Sequence, residues 1–147
     1  MSGIVNSTGA VSGVIGTTVG TPAGGVTTAV GNVTAASSLN GVGVDEDLSF
    51  TPTSVIFHFS TAVNSDSIGI GFCGPSNENQ SSYIKTLTDA PSVFALENGT
   101  YAILSQSGGG SSNRATCTLG TDKFTLTWTK VGSPEAGNVY IKYMAMK

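Results

Sequence analysis

From Phe50 onward the chain alternates between apolar and polar positions with a period of two, the signature of strands with one buried face. Val55, Phe57 and Phe59 point one way, and Ile56, His58 and Ser60 the other, before Asn64-Ser-Asp66 closes the segment. Ser67 to Cys73 places Ile68, Ile70 and Phe72 on one face, ahead of a Gly74-Pro-Ser-Asn turn. Shorter strands are predicted at Ser82 to Leu87, Ser92 to Leu96 and Thr100 to Gln106, with Glu97-Asn-Gly99 a hairpin turn. Gly108 to Asn113 reads as a loop tip, and Arg114 to Leu119 leads into the clearest strand, where Phe124, Leu126 and Trp128 alternate with Lys123, Thr125, Thr127 and Thr129. A last strand carries Val139, Ile141, Tyr143 and Ala145 on one side, with Tyr140 on the other. The pattern predicts an all-β protein of about eight antiparallel strands, a β-sandwich or jelly roll, with no helix.

Residues 1–44 follow a different rule. They contain no Asp, Glu, Lys, Arg or His, yet hold half of the 20 glycines, mixed with Val, Thr, Ser and Ala. Phrases such as Ser2-Gly-Ile-Val and Ser12-Gly-Val-Ile recur loosely, without a solenoid period. A Gly/Ser linker is one reading of this stretch. The β-branched residues Ile4, Val5, Val11, Val14, Ile15, Val19, Val26, Val30 and Val33 favour another, because apolar side chains without accompanying charge gain by lying on a partner subunit. The expected organisation is an extended uncharged N-terminal arm, residues 1–44, that serves attachment and assembly through those nine side chains, followed by a β-sandwich over 45–147.

Charge and chemistry narrow the function. Charged residues make up only 10% of the chain, the net charge is −3, and Arg114 is the only arginine, so a basic footprint for nucleic acid is missing. No stretch of about 18 apolar residues suggests a membrane span. The opening residues lack the charged and apolar regions of a secretory leader, which leads us to expect synthesis in a cytoplasm and Cys73 and Cys117 as free buried thiols, with a disulfide as the alternative. His58 lacks a spaced nucleophile and carboxylate, and reads as a strand histidine facing solvent or a neighbour. Asp45-Glu-Asp47 lacks the frame of a calcium loop and reads as a solvated hinge between arm and core. Neither a metal site nor a cofactor is expected, and the Asn-x-Ser/Thr triplets occur at the rate this composition gives by chance. Trp128 is in register with Phe124 and Leu126 and is expected in the core, which leaves Tyr140 and Tyr83 as candidates for surface recognition, a glycan being the ligand class that aromatic faces suit.

Two segments carry a resemblance. Ser2-Gly-Ile-Val-Asn-Ser-Thr-Gly-Ala-Val-Ser-Gly-Val-Ile-Gly-Thr-Thr18 resembles an N-terminal segment that recurs in virion proteins of tailed bacteriophages, especially marine and cyanobacterial ones. Asp122-Lys-Phe-Thr-Leu-Thr-Trp-Thr-Lys-Val-Gly-Ser-Pro134, followed by Tyr140-Ile-Lys-Tyr-Met-Ala-Met146, is similar to the closing strands of β-domains in phage surface proteins, with Lys123 where a small residue is usual. Together the segments cover about a quarter of the chain. The resemblance implies a non-enzymatic structural subunit on the exterior of a virion, trimeric, and attached to the major capsid protein or another virion subunit through its arm. A capsid decoration (cement) protein is the first expectation and a tail or head fibre subunit with a receptor-binding β-domain the second. A carbohydrate-active protein unrelated to virions is a remote third, disfavoured by acidic residues scattered at loop ends.

Overall fold

The computed structural model describes the backbone of residues 26–63, 65–87, 90–106, 111–134 and 136–147, and their side chains except at 62–67, 83–98 and 106. Among these residues ten strands form two antiparallel sheets. The strands are β1 (Thr28–Ala36), β2 (Gly43–Asp47), β3 (Ser54–Val63), β4 (Ser65–Cys73), β5 (Asn79–Leu87), β6 (Ala90–Asn98), β7 (Ile103–Gln106), β8 (Ser112–Gly120), β9 (Lys123–Val131) and β10 (Asn138–Met146). One sheet has the order β1-β10-β3-β4-β5-β6 and the other β2-β9-β8-β7.

The expected all-β sandwich is thus what the chain forms. The strand order is not that of a jelly roll, in which successive strands keep changing sheet. Here β1 and β2 do so, pairing with β10 and β9, but β3 to β6 then run as a meander in one sheet and β7 to β9 in the other. The Glu97-Asn-Gly99 segment is accordingly a crossing between sheets rather than a hairpin, with Gly99 at φ 94° and its N–H donating to the Asn79 carbonyl at 2.7 Å.

The core lies between the sheets. Val55, Phe57 and Phe59 from β3 and Val139, Ile141 and Ala145 from β10 meet Phe124, Leu126 and Trp128 from β9 and Ala115 and Cys117 from β8, all buried. Phe124 packs edge-on against Phe57 and Tyr143, with ring centroids 5.6 and 4.9 Å away.

Strand β4 reverses the usual rule. Its isoleucines Ile68 and Ile70 face solvent, 49% and 58% exposed, while Gly69, Gly71 and Cys73 face the core. A Cβ on Gly69 would collide with the Phe59 ring, and one on Gly71 with the Ala102 carbonyl oxygen. The glycines leave room for a phenylalanine from β3 and for the backbone of the opposite sheet, and the bulky residues point outward as a result.

The division expected at residues 44 and 45 is not where the sandwich begins. Strand β1 pairs along its whole length with β10, from Thr28 opposite Met146 to Ala36 opposite Asn138, and buries Val33 and Ala35. The uncharged composition of 28–44 reflects a strand whose inner face is core and whose outer face is neutral. Asp45-Glu-Asp47 is likewise a strand and not a hinge. It pairs with β9, where Asp45 accepts from Lys123 Nζ and Thr125 Oγ1, each at 2.6 Å.

Candidate functional site

Alternation on β1, β10, β3 and β4 sends the even-numbered residues outward, and the antiparallel registers align them in rows across the six-stranded sheet. One row is apolar, with Val30, Met144, Ile56 and Phe72 in successive strands. The next runs Asn32, Lys142, His58, Ile70, and the third Thr34, Tyr140, Ser60, Ile68. Asn32, Thr34, His58, Ser60, Tyr140 and Lys142 line a shallow groove of about 370 Å³, with Val33 and Ile141 between them.

The groove offers one ammonium, one imidazole, one phenol, one amide and two hydroxyls, and no carboxylate lines it among the described residues. Tyr140 is 45% exposed and presents its ring beside Lys142 and Thr34. Such a surface suits a ligand with hydroxyls and an apolar ring face. Across the sheet His58 is flanked by Lys142 and Ile70, and Ser60 follows it on the same face. Among the described residues no cluster of three or more His, Cys, Asp or Glu is placed to hold a metal ion, and no helix is long and apolar enough to cross a membrane.

The other residues singled out from the sequence are dispersed. Ile4, Val5, Val11, Val14, Ile15 and Val19 lie outside the described residues. Val26 and Val30 are exposed, by 65% and 76%. Val33 is not a partner-binding residue, since it points into the core and is 4% exposed. Tyr83 sits in β5 opposite Gly69, and its side chain lies outside the described ones. Arg114 is engaged within the fold, its Nε donating to Ser112 Oγ at 2.7 Å and its guanidinium 5.2 Å from the centre of the Tyr101 ring.

Cys73 and Cys117 are free, buried thiols on facing sheets, and Cys73 Sγ donates to the Cys117 carbonyl at 3.5 Å. The hydrogen bond to Cys73 and burial hold the Cys117 thiol far above its ordinary pKa, so it stays protonated and inert. Beside them Asn79, 2% exposed, joins the sheets through its amide. Its Nδ2 donates to the Cys117 carbonyl at 3.1 Å and to the Asn77 carbonyl at 2.6 Å, while its Oδ1 accepts from the Cys117 N–H at 2.8 Å. Residue by residue, Asn32, His58 and Lys142 escape notice in the sequence as site members. The signal was there in the alternation, His58 between Phe57 and Phe59 and Lys142 between Ile141 and Tyr143, but the register that brings them together was not.

Comparison of the chain with family models, with curated proteins and with solved structures finds no match.

Proposed function

We propose that this protein is a non-enzymatic virion subunit of a tailed bacteriophage, a capsid decoration (cement) protein that sits as a homotrimer on the shell exterior and is held there by its N-terminal segment. The observation that carries the reading is the division of labour in the chain. A sandwich starting at Thr28 is preceded by residues 1–25, which hold six β-branched aliphatic residues from Ile4 to Val19 and no charge. An uncharged segment of this kind adds to sheets of the major capsid protein through backbone hydrogen bonds and buries Val and Ile as it does so. Because the protein binds the assembled shell and not its dissociated subunits, it stabilises that shell by mass action, and three segments per trimer add avidity.

The test is binding to mature capsids stripped of the protein, with capsid heat stability as the readout. The truncated form lacks residues 1–25, since removal of 1–44 would take β1 out of the sandwich. The full-length protein is expected to bind and raise the heat stability of the shell, and the truncated form to do neither. Equal binding by both would overturn the reading.

The groove favours a second reading, a fibre subunit whose β-domain meets host glycans. Tyr140→Ala would then abolish retention on a glycan surface while leaving the urea midpoint unchanged, since the ring is exposed.

A further inference from the structure

The edge of a sheet presents unpaired N–H and C=O groups, and folded proteins protect such edges with charge, proline, bulges or brevity. Among the described residues four strands are edges, β1 and β6 in one sheet and β2 and β7 in the other. Strand β2 carries three consecutive carboxylates, Asp45 to Asp47. Strand β6 contains Pro91, and its ladder to β5 is broken by a register shift between Lys85 and Leu87. Strand β7 is four residues long. Strand β1 has none of these protections. It is nine residues long, without charge or proline, and its register with β10 is unbroken. Val30, near its middle, is 76% exposed.

We propose that the open edge of β1 receives the segment Val11–Val19 of a second copy of this chain. This deepens the reading above by giving Val11–Val19 to the contact between copies and leaving Ile4, Val5 and their neighbours for the shell, and it rests on that reading only in taking residues 1–25 as an assembly device. Three observations select the occupant. Val11-Ser-Gly-Val-Ile-Gly-Thr-Thr-Val19 is uncharged, rich in β-branched residues and nine residues long, matching β1 in length and in neutrality. The backbone leaves β1 along the strand axis instead of turning over its edge, because the Lys147 N–H donates to the Thr27 carbonyl at 2.9 Å and prolongs the β1–β10 ladder. Residues 20–27 that follow the segment reach at most about 28 Å, enough to cross to a neighbour, and form a longer connection than the 2–5 residues usual for a hairpin. A strand passed from each copy to the next is a head-to-tail contact, which gives a ring when its rotation closes, a third of a turn giving the three-membered ring of a homotrimer.

Sedimentation equilibrium on the full-length protein tests this with two variants, Val30→Lys on the edge and the double variant Val14→Lys/Ile15→Lys in the segment. The near-UV signal of the buried Trp128 reports whether the sandwich stays folded. The wild type is expected to associate, and both variants to lose association on the order of 100-fold with the Trp128 signal intact, as a lysine on an edge blocks strand addition. Association that survives Val30→Lys overturns the proposal. Dissociation by Val30→Lys alone overturns the choice of segment, because the edge then pairs with something else, such as β1 of the second copy. A wild type that stays monomeric also overturns it, and β1 amides slow to exchange would then assign the edge to the chain's own N-terminal segment. Loss of capsid binding with association intact refutes the virion reading and leaves this inference standing.

Discussion

The amide of Asn79 does the work of a missing strand. Strand β7 starts at Ile103, opposite Ala115, so where β8 reaches Cys117 there is no further partner on that side. The N–H and C=O of Cys117 instead meet Oδ1 and Nδ2 of Asn79, at 2.8 and 3.1 Å. Replacing Asn79 by Ala leaves the Cys117 N–H without a partner in a buried site, at a cost of about 1–3 kcal/mol. The Cys117 carbonyl suffers less, because it still accepts from Cys73 Sγ. The Asn77 carbonyl belongs to an exposed residue and turns to water. With a modest contribution from the vacated volume, the sum is about 3 kcal/mol. Urea unfolding followed by Trp128 fluorescence measures it, and with a slope of about 2 kcal/mol per molar urea the midpoint falls by about 1.5 M at unchanged slope. Asn77→Gly is the control, because glycine accepts the φ of 61° found there without strain. The Asn77 Oδ1 accepts from the Leu119 N–H at 2.6 Å at an exposed position, where water substitutes, and its loss should cost less than about 1 kcal/mol. A loss below about 1 kcal/mol for Asn79→Ala would refute the argument that the side chain replaces a strand.

Three further outcomes are expected. Gly71→Ala drives a methyl group into the Ala102 carbonyl and should destabilise by about 3 kcal/mol or prevent folding, whereas Gly41→Ala, at φ 68° with open space around it, should cost about 1 kcal/mol in the same urea assay. Cys73 and Cys117 should resist a thiol-specific reagent in the native protein and both react in denaturant, so rapid native labelling of either would contradict their burial. Burial raises the pKa of Glu46 above its usual 4.5, outweighing the bond from Tyr143, so its ionisation works against the fold; Glu46→Gln should stabilise at pH 7, and this advantage should vanish as the pH falls below 4.5.

Much of the fold was legible in alternation because most strands bury one face and wet the other. Strands β3, β9 and β10 show it plainly, with Phe57, Leu126 and Ile141 at the centres of their buried faces. Strand β4 obeys the same period with its phase inverted, since shape and not hydrophobicity decides which face of Gly69 and Gly71 fits against Phe59 and Ala102. Strand β1 was hidden by composition. Gly, Ala and Asn have weak strand preference, and the end of the uncharged stretch at Val44 marks a change in surface chemistry rather than in fold. The groove was legible only through Tyr140, because its members come from strands that are distant in sequence and meet only when β10 inserts between β1 and β3.

That insertion has a consequence for the order of events during synthesis. Of the described strands the ribosome releases β1 first, yet its partner β10 comes last, and β2 waits in the same way for β9. Long-range closure of this kind slows folding. It also acts as a proofreading step, because a nascent or prematurely terminated chain has no β10 on which to assemble β1, and so cannot present the ordered edge on which other strands could build. Only a chain translated through β10 would carry that ordered edge, and incomplete products would lack it without any separate factor to reject them.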